Sequence, residues 1–515
     1  MASRIGALIP AHLAAGLALF VLAPLLAVAA RATGFALGPA DWAAVRFTAA
    51  QAFVSALVSV TLAVPVARAL ARRSFAGRGA LITLMGAPFL LPTIVAVLAL
   101  VAVFGRAGVV NQGLGLFGLG PFSVYGAHGV VLAHVFLNLP LAVRMLLQGW
   151  QAIPSERFRL AESLGFGPAQ MARHLEGPML RSVAPGAFLV IFVICLTSFA
   201  VALTLGGGPG ATTVELAIFQ AVRFEFDLGR AALLAAVQFA LCAVVAVLGW
   251  LLVTPAAFGA GLGRPALLRP PAGWRRAGDA LAIGLAAAFL LLPLGAVVLR
   301  GLPGLGELPA HVWAAAGRSV LVALTSTAVT VVAALVLALA VARGGRGAGA
   351  MDAAAALPLA TSGLVLGVGL FLMAQPFVSP ARLALPVTVA VNAALTLPFV
   401  YRLLLPETRV LLSDYGRLAD SLGLRGWARL RWLVLPRLAR PLGFGAGLAA
   451  SLSMGDLGVI ALFATEQSAT LPLVVQRLMG AYRLEAAAGA ALLLVTLSFA
   501  LFWVFDYGGR RYAAV

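Results

Sequence analysis

Run after run of about 20 apolar residues, separated by short polar stretches, leaves this chain few folds to choose from. Inside hydrocarbon every backbone N–H and C=O must be satisfied within the protein, which helices and closed barrels alone achieve. About 20 residues is the length of a helix that crosses the hydrocarbon core. Twelve such runs are read, at about 8–30, 47–69, 80–103, 125–147, 184–205, 230–253, 279–299, 318–341, 352–373, 383–405, 442–463 and 485–506; the first and ninth are diluted by Ala and Gly. Charged residues make up 10% of the chain, against roughly 25% in soluble domains. The expected fold class is therefore all-α integral membrane, with about 12 transmembrane helices.

The net charge of +19 comes from 36 basic residues, every one an arginine. Such a balance can mark nucleic-acid binding, but in a chain of spans arginine counts report orientation. With the N-terminus inside, 26 of the 36 arginines fall on the inner side. Both termini are thus expected on the cytoplasmic side of the membrane, with lipid as neighbour and no nucleic-acid partner. Arg4, an apolar run and Ala27-Val28-Ala29 resemble a cleavable signal. Removing that segment would leave an odd number of spans, so an uncleaved first span is expected. A P-loop needs a lysine, and the sequence has none, so ATP is not expected to bind here by that motif. Cys195 and Cys242 lie in apolar runs and read as core thiols.

One polar segment occurs twice. Residues 155–165 return at 413–423, an offset of 258, with seven of eleven positions identical and Glu exchanged for Asp at two more. Pro178 and Pro436 follow thirteen residues after the glycines, and Pro140/Pro398 and Arg144/Arg402 extend the match backward. The expected organisation is a first repeat at 1–255, a cytoplasmic linker at 256–278 rich in Pro, Gly and Arg, and a second repeat at 279–515. Six spans per half make the repeats parallel, related by an axis along the membrane normal.

Each copy reads as a short helix, a glycine stop and a second helix ending at proline. Ser155 and Ser413 are expected to cap the first amides, Glu156 and Asp414 to favour the helix dipole, and Gly165 and Gly423 to supply the left-handed stop. Leu160, Ala161 and Leu164, like Leu418, Ala419 and Leu422, are expected to share one face. Such a face suits docking into a groove on another protein, or lying on the membrane surface. Two equal loops favour two equal partners.

Ala161, Gly165 and Pro178, with Ala419, Gly423 and Pro436, resemble the signature loop of permease subunits of ATP-binding-cassette importers of the type I class. That resemblance implies two fused six-helix permease repeats with no chemistry or cofactor of their own. It implies as partners two copies of a cytoplasmic ATPase, where ATP is used, and an external substrate-binding protein. It assigns ATPase coupling to Arg159, Leu160, Ala161, Glu162, Ser163, Leu164 and Gly165, and to Arg417, Leu418, Ala419, Asp420, Ser421, Leu422 and Gly423. The sequence departs from the family pattern: arginines 159 and 417 stand where the family has glutamate, and the carboxylates Glu162 and Asp420 come three residues later. The stretches 197–209, 211–220, 455–463 and 470–472 are similar to those of thiamine/thiamine-pyrophosphate importer permeases. Fused ferric-iron permeases share the layout, and a secondary transporter with parallel repeats is a further alternative.

Polar residues within spans usually face a bundle interior or cavity. Asp456, expected in span eleven, and its repeat mate Ser198, expected in span five, are candidates for the translocation path; a carboxylate there suits a cationic thiazolium. Thr204 is a further candidate, as are Thr212, Thr213 and Glu466 at the outer mouth. His134 and Asn138 share a face of span four, and Asn392 is the repeat mate of His134; interhelical hydrogen bonding and substrate contact are the two roles open to them. No metal site is expected.

Overall fold

The structure, a computed structural model, describes residues 2–32, 36–86, 90–206, 208–252, 273–345 and 347–513. Most of the expected 256–278 linker lies outside the described residues. Within them the regular structure is helical throughout, as the apolar runs require. Among the described residues eleven helices are long and apolar enough to cross a bilayer, or twelve when the bent pair Ala348–Ala360 and Gly363–Ala374 is taken as one span.

The helices that matter below are α1 (Ala2–Ala32), α2 (Pro39–Arg72), α3 (Ala127–Gln151), α4 (Ser155–Ser163), α5 (Gly177–Leu196), α6 (Phe199–Leu205), α7 (Val214–Gln220), α8 (Leu228–Leu252), α9 (Trp274–Gly304), α10 (Ala310–Arg343), α11 (Gly363–Ala374), α12 (Ala384–Ser421), α13 (Leu435–Met454), α14 (Gly458–Phe463) and α15 (Leu484–Ala513).

Four expected spans differ in course. The fifth and eleventh, expected at 184–205 and 442–463, break after Leu196 and Met454, before the short helices α6 and α14. The ninth, expected at 352–373, bends by 96°. Its second limb starts anew where Ser362 Oγ accepts the Val365 N–H at 3.1 Å, a side-chain N-cap that ends one helix and begins another. The third, expected at 80–103, is found at Thr93–Leu116, directly after Pro92, with Arg78–Leu84 as a separate short helix. Proline lacks the N–H that would carry a helix through it, so it starts this one instead.

The chain forms two compact units. The amino-terminal unit comprises Pro39–Thr213 and Leu241–Leu299. In it α2 packs on α3 and α5. Gly149 lets α3 approach α5, since a Cβ there would stand 2.7 Å from Met179 Sδ. Phe136 of α3 meets Phe289 of α9 edge to face at 5.7 Å, and Arg73 Nε donates to Asp279 Oδ2 at 2.9 Å.

The carboxy-terminal unit comprises Met1–Gly38, Val214–Ala240 and Arg300–Val515. It is held by α10, α12 and α13, with α15 against α13 and α1 against α11. Small residues set the closest approaches, as expected where lipid removes the hydrophobic drive between helices. A Cβ on Gly443 would lie 2.5 Å from Phe505 O, one on Gly447 2.9 Å from Phe502 O, and one on Gly369 2.4 Å from Pro24 O. Glycine thus allows α13 to meet α15, and α11 to meet α1, backbone to backbone.

Candidate functional site

In the first copy of the repeated segment, Pro154 separates α4 from α3. The helix closes with a Schellman stop. Phe166 N–H donates to Ala161 O at 2.9 Å, Gly165 N–H donates to Glu162 O at 3.0 Å, and Gly165 sits at φ 72°. Ser163 Oγ donates to Leu160 O at 2.8 Å, satisfying another terminal carbonyl.

The second copy repeats this stop bond for bond. Leu424 N–H donates to Ala419 O at 2.9 Å, Gly423 N–H to Asp420 O at 3.1 Å, and Ser421 Oγ to Leu418 O at 2.8 Å, with Gly423 at φ 66°. Its helix, however, is the last turns of the 38-residue α12.

Three expectations for these loops are corrected. Neither serine caps a helix: Pro154 holds the N-cap position ahead of Ser155, whose hydroxyl turns to Glu156, and Ser413 lies inside α12, bonded to Val410 O. The apolar face is split. Leu160 and Leu164 are 61% and 63% exposed and Leu418 and Leu422 54% and 66%, whereas Ala161 and Ala419 are buried. The alanines pack inward, alongside Phe158 in the first copy, and the leucines project outward with Arg159 and Arg417. The following helix does not end at proline. It passes through a π-turn, Ala172–Glu176 or Leu430–Val434, and continues as α5 or α13 with Pro178 or Pro436 in its first turn. The wider turn takes up the hydrogen bond and the space that a proline denies an α-helix.

Each loop is anchored differently. Glu176 is buried and takes Arg68 Nη2 at 2.6 Å and Arg72 Nη2 at 3.0 Å, tying the first π-turn to the end of α2. Its mate, Val434, packs instead into an apolar cluster with Leu411 and Leu438. Asp420 Oδ1 accepts from Arg429 Nη1 at 2.8 Å; at the equivalent positions Glu162 is exposed and Met171 replaces the arginine. Arg437 lies over the Tyr415 ring, 4.4 Å from its centre.

His134, Asn138 and Asn392 all sit in interhelical seams. In the amino-terminal unit His134 Nδ1 is 3.4 Å from Ser55 Oγ, Asn138 Nδ2 reaches His134 O at 2.8 Å and Cys195 Sγ at 3.5 Å, and Gln51 Nε2 donates to Cys195 O at 3.0 Å. In the carboxy-terminal unit Asn392 Nδ2 donates to Ser453 Oγ at 3.0 Å, Ser326 Oγ donates to the same oxygen at 2.8 Å, and Thr330 and Thr396 share a bond of 2.9 Å. Three helices thus meet through polar groups at matching places in each unit, α2, α3 and α5 in one and α10, α12 and α13 in the other.

Ser198 and Asp456 lie at breaks in their helices. Ser198 precedes α6 after α5 ends at Leu196, and Asp456 precedes α14 after α13 ends at Met454. The Asp456 carboxylate faces the backbone N–H groups of Gly458, Val459 and Ile460 at the start of α14, and its Oδ2 is buried without a hydrogen-bond partner. Thr204 bonds back to Ala200 O at 2.7 Å within its own helix. Thr212 Oγ1 donates to Gly208 O at 3.3 Å, Thr213 is buried, and Glu466 is exposed.

One further buried carboxylate is not among the residues expected from the sequence. Glu215, in α7, is 1% exposed, lies beside the Ser362 hydroxyl, and keeps one buried oxygen unpartnered. It sits in a seven-residue helix outside every long apolar run, so its burial could not be read from its neighbours. Among the described residues no three His, Cys, Asp or Glu side chains group as metal ligands.

No protein-family model matches the chain. Among characterised proteins it is 38% identical over 513 residues to the thiamine transport system permease protein of Brucella abortus (strain 2308), covering 96% of this chain and 94% of that one. It is 37% identical to the protein of that name from Escherichia coli (strain K12), covering 98% of each. The Haemophilus influenzae protein of that name is 32% identical, over 96% of this chain and 95% of its own.

Proposed function

Because this chain belongs to the family of thiamine transport system permease proteins, we propose that it is the membrane-spanning subunit of an ATP-driven importer that carries thiamine, and its phosphates, inward across a bacterial inner membrane. The observation that carries this reading is similarity at 37–38% identity along nearly the whole length of both chains. The eleven or twelve apolar helices support a multi-pass membrane protein. Its work is transport, not covalent chemistry.

The repeated loops take the coupling role. The short helix α4 and the end of the long helix α12 close in the same hydrogen-bonded stop and project Leu160 with Leu164, and Leu418 with Leu422. Each leucine side chain withdrawn from water contributes about 1.5–3 kcal/mol. Two copies of a separate ATPase, one on each loop, would cover them on the cytoplasmic side, with both termini of the chain on that side too. ATP closes the ATPase pair, the loops move with it, and the π-turns and helices that follow them carry the motion into the spans. A substrate-binding protein delivers thiamine at the opposite face.

Thiamine uptake in cells lacking the gene tests this. The wild-type gene should restore uptake, and a Gly165→Pro/Gly423→Pro double variant, checked for expression, should not: both glycines donate N–H bonds at positive φ, and proline offers neither. No restoration by the wild type, with ATPase and binding protein present, would refute the thiamine assignment.

A further inference from the structure

Glu215 has no part in the coupling loops or the interhelical seams. It lies beside the turn Thr361–Gly363, and Asp456 precedes α14, which packs on that turn, all within the carboxy-terminal unit. The Ser362 hydroxyl lies beside the Glu215 carboxylate, and its oxygen accepts the Val365 N–H. Gly363, the next residue, is pressed on α14: a Cβ there would stand 3.3 Å from Val459 Cγ2. The Val459 N–H is in turn one of the three that the Asp456 carboxylate faces. Thr361, buried on the other side of Ser362, contributes a hydroxyl with no partner.

The elements that meet at this turn thus bring two carboxylates, each with a buried oxygen that has no hydrogen-bond partner, and the buried, unpartnered Thr361 hydroxyl. No ion pair reaches Glu215 or Asp456 among the described residues. Leaving a carboxylate oxygen uncompensated in an apolar surrounding is costly. Ser362 and the three amides at Asp456 offset only part of that cost. A positive charge arriving from outside the chain would offset the rest. With no third His, Cys, Asp or Glu joining them, the pair does not offer a metal its usual ligand number. An organic cation of spread charge, held by charge and shape, asks for no such coordination.

We propose that Glu215 and Asp456, with the hydroxyls of Thr361 and Ser362, form a site on the translocation path that selects an organic cation. The site draws one carboxylate from each half of the sequence, so occupying it ties α7 to the α11 and α14 turn. It rests on the reading above that the cargo is thiamine, whose thiazolium ring is such a cation.

The test is labelled-thiamine uptake by the complete permease–ATPase complex in vesicles, with its binding protein, for wild type, Glu215→Gln and Glu215→Asp. The amide keeps the side-chain volume and can still accept from the neighbouring Ser362 hydroxyl, so the helix should survive and the ATPase should copurify as with wild type. E215Q is expected to lower uptake at saturating binding protein at least tenfold, and E215D to restore at least half of the wild-type rate. Wild-type uptake together with an E215Q variant within twofold of it, or with E215D as deficient as E215Q, would overturn the inference alone. Absence of uptake by the wild type would overturn the thiamine reading and the inference with it.

Discussion

The two copies of the repeated loop share what faces outward and differ in how they are held. Both end in the same pair of stop bonds around a left-handed glycine, both spend a serine hydroxyl on the same carbonyl, and both turn two leucines away from the protein. Yet α4 stands apart behind Pro154, whereas the second copy is the end of the continuous α12, with Leu412 at the proline's place. An ion triad of Glu176, Arg68 and Arg72 ties down the first π-turn; an apolar cluster around Val434 ties down the second. The duplicated features belong to the surface that would meet a duplicated partner. The attachments were free to diverge because each needs to suit only its own unit.

The comparison can be broken most forcefully at residue 412. Leu412→Pro gives the second copy the first copy's break. It removes one helical hydrogen bond and drives the ring into the preceding turn, at a cost of about 3 kcal/mol. Thermal melting in detergent should fall accordingly. Unchanged melting would mean that the continuity of α12 is not what supports this loop.

A smaller loss is expected from Glu176→Gln. It keeps the shape and some of the hydrogen bonds but removes the charge that two arginines share, an effect of about 2 kcal/mol for hydrogen bonds to charged groups. Hydrogen exchange should quicken across 172–176 in the first copy and stay unchanged across 430–434 in the second. Equal change in both would show that the anchors are not independent.

Much of this architecture is legible in the chain itself. Apolar length alone yields the number of spans, because hydrocarbon thickness dictates it. The glycine at the end of each loop predicts its stop, because few other residues tolerate a left-handed backbone. Other features depend on contacts between distant segments. Apolarity says nothing of straightness, so the break at Ser362 was hidden inside a run that is long enough to cross. Serines 155 and 413 satisfy the rule for a cap, but a proline ahead of one and an unbroken helix ahead of the other took the cap position away. Ala161 shares a helix with Leu160 and Leu164, yet a small side chain beside Phe158 turns inward while its neighbours do not. Glu215 looks like a polar residue of a connecting loop until α11 is folded against it.

The most direct test of the coupling account is cross-linking from the two outward leucines. Leu160→Cys and Leu418→Cys variants, made where Cys195 and Cys242 are buried, would be treated with a bifunctional thiol reagent in the assembled complex with the ATPase. The account predicts an ATPase adduct from each position, lost when the ATPase is omitted. A complex that copurifies intact yet yields no adduct from either position would contradict it, because the paired loops would then not be where the ATPase docks.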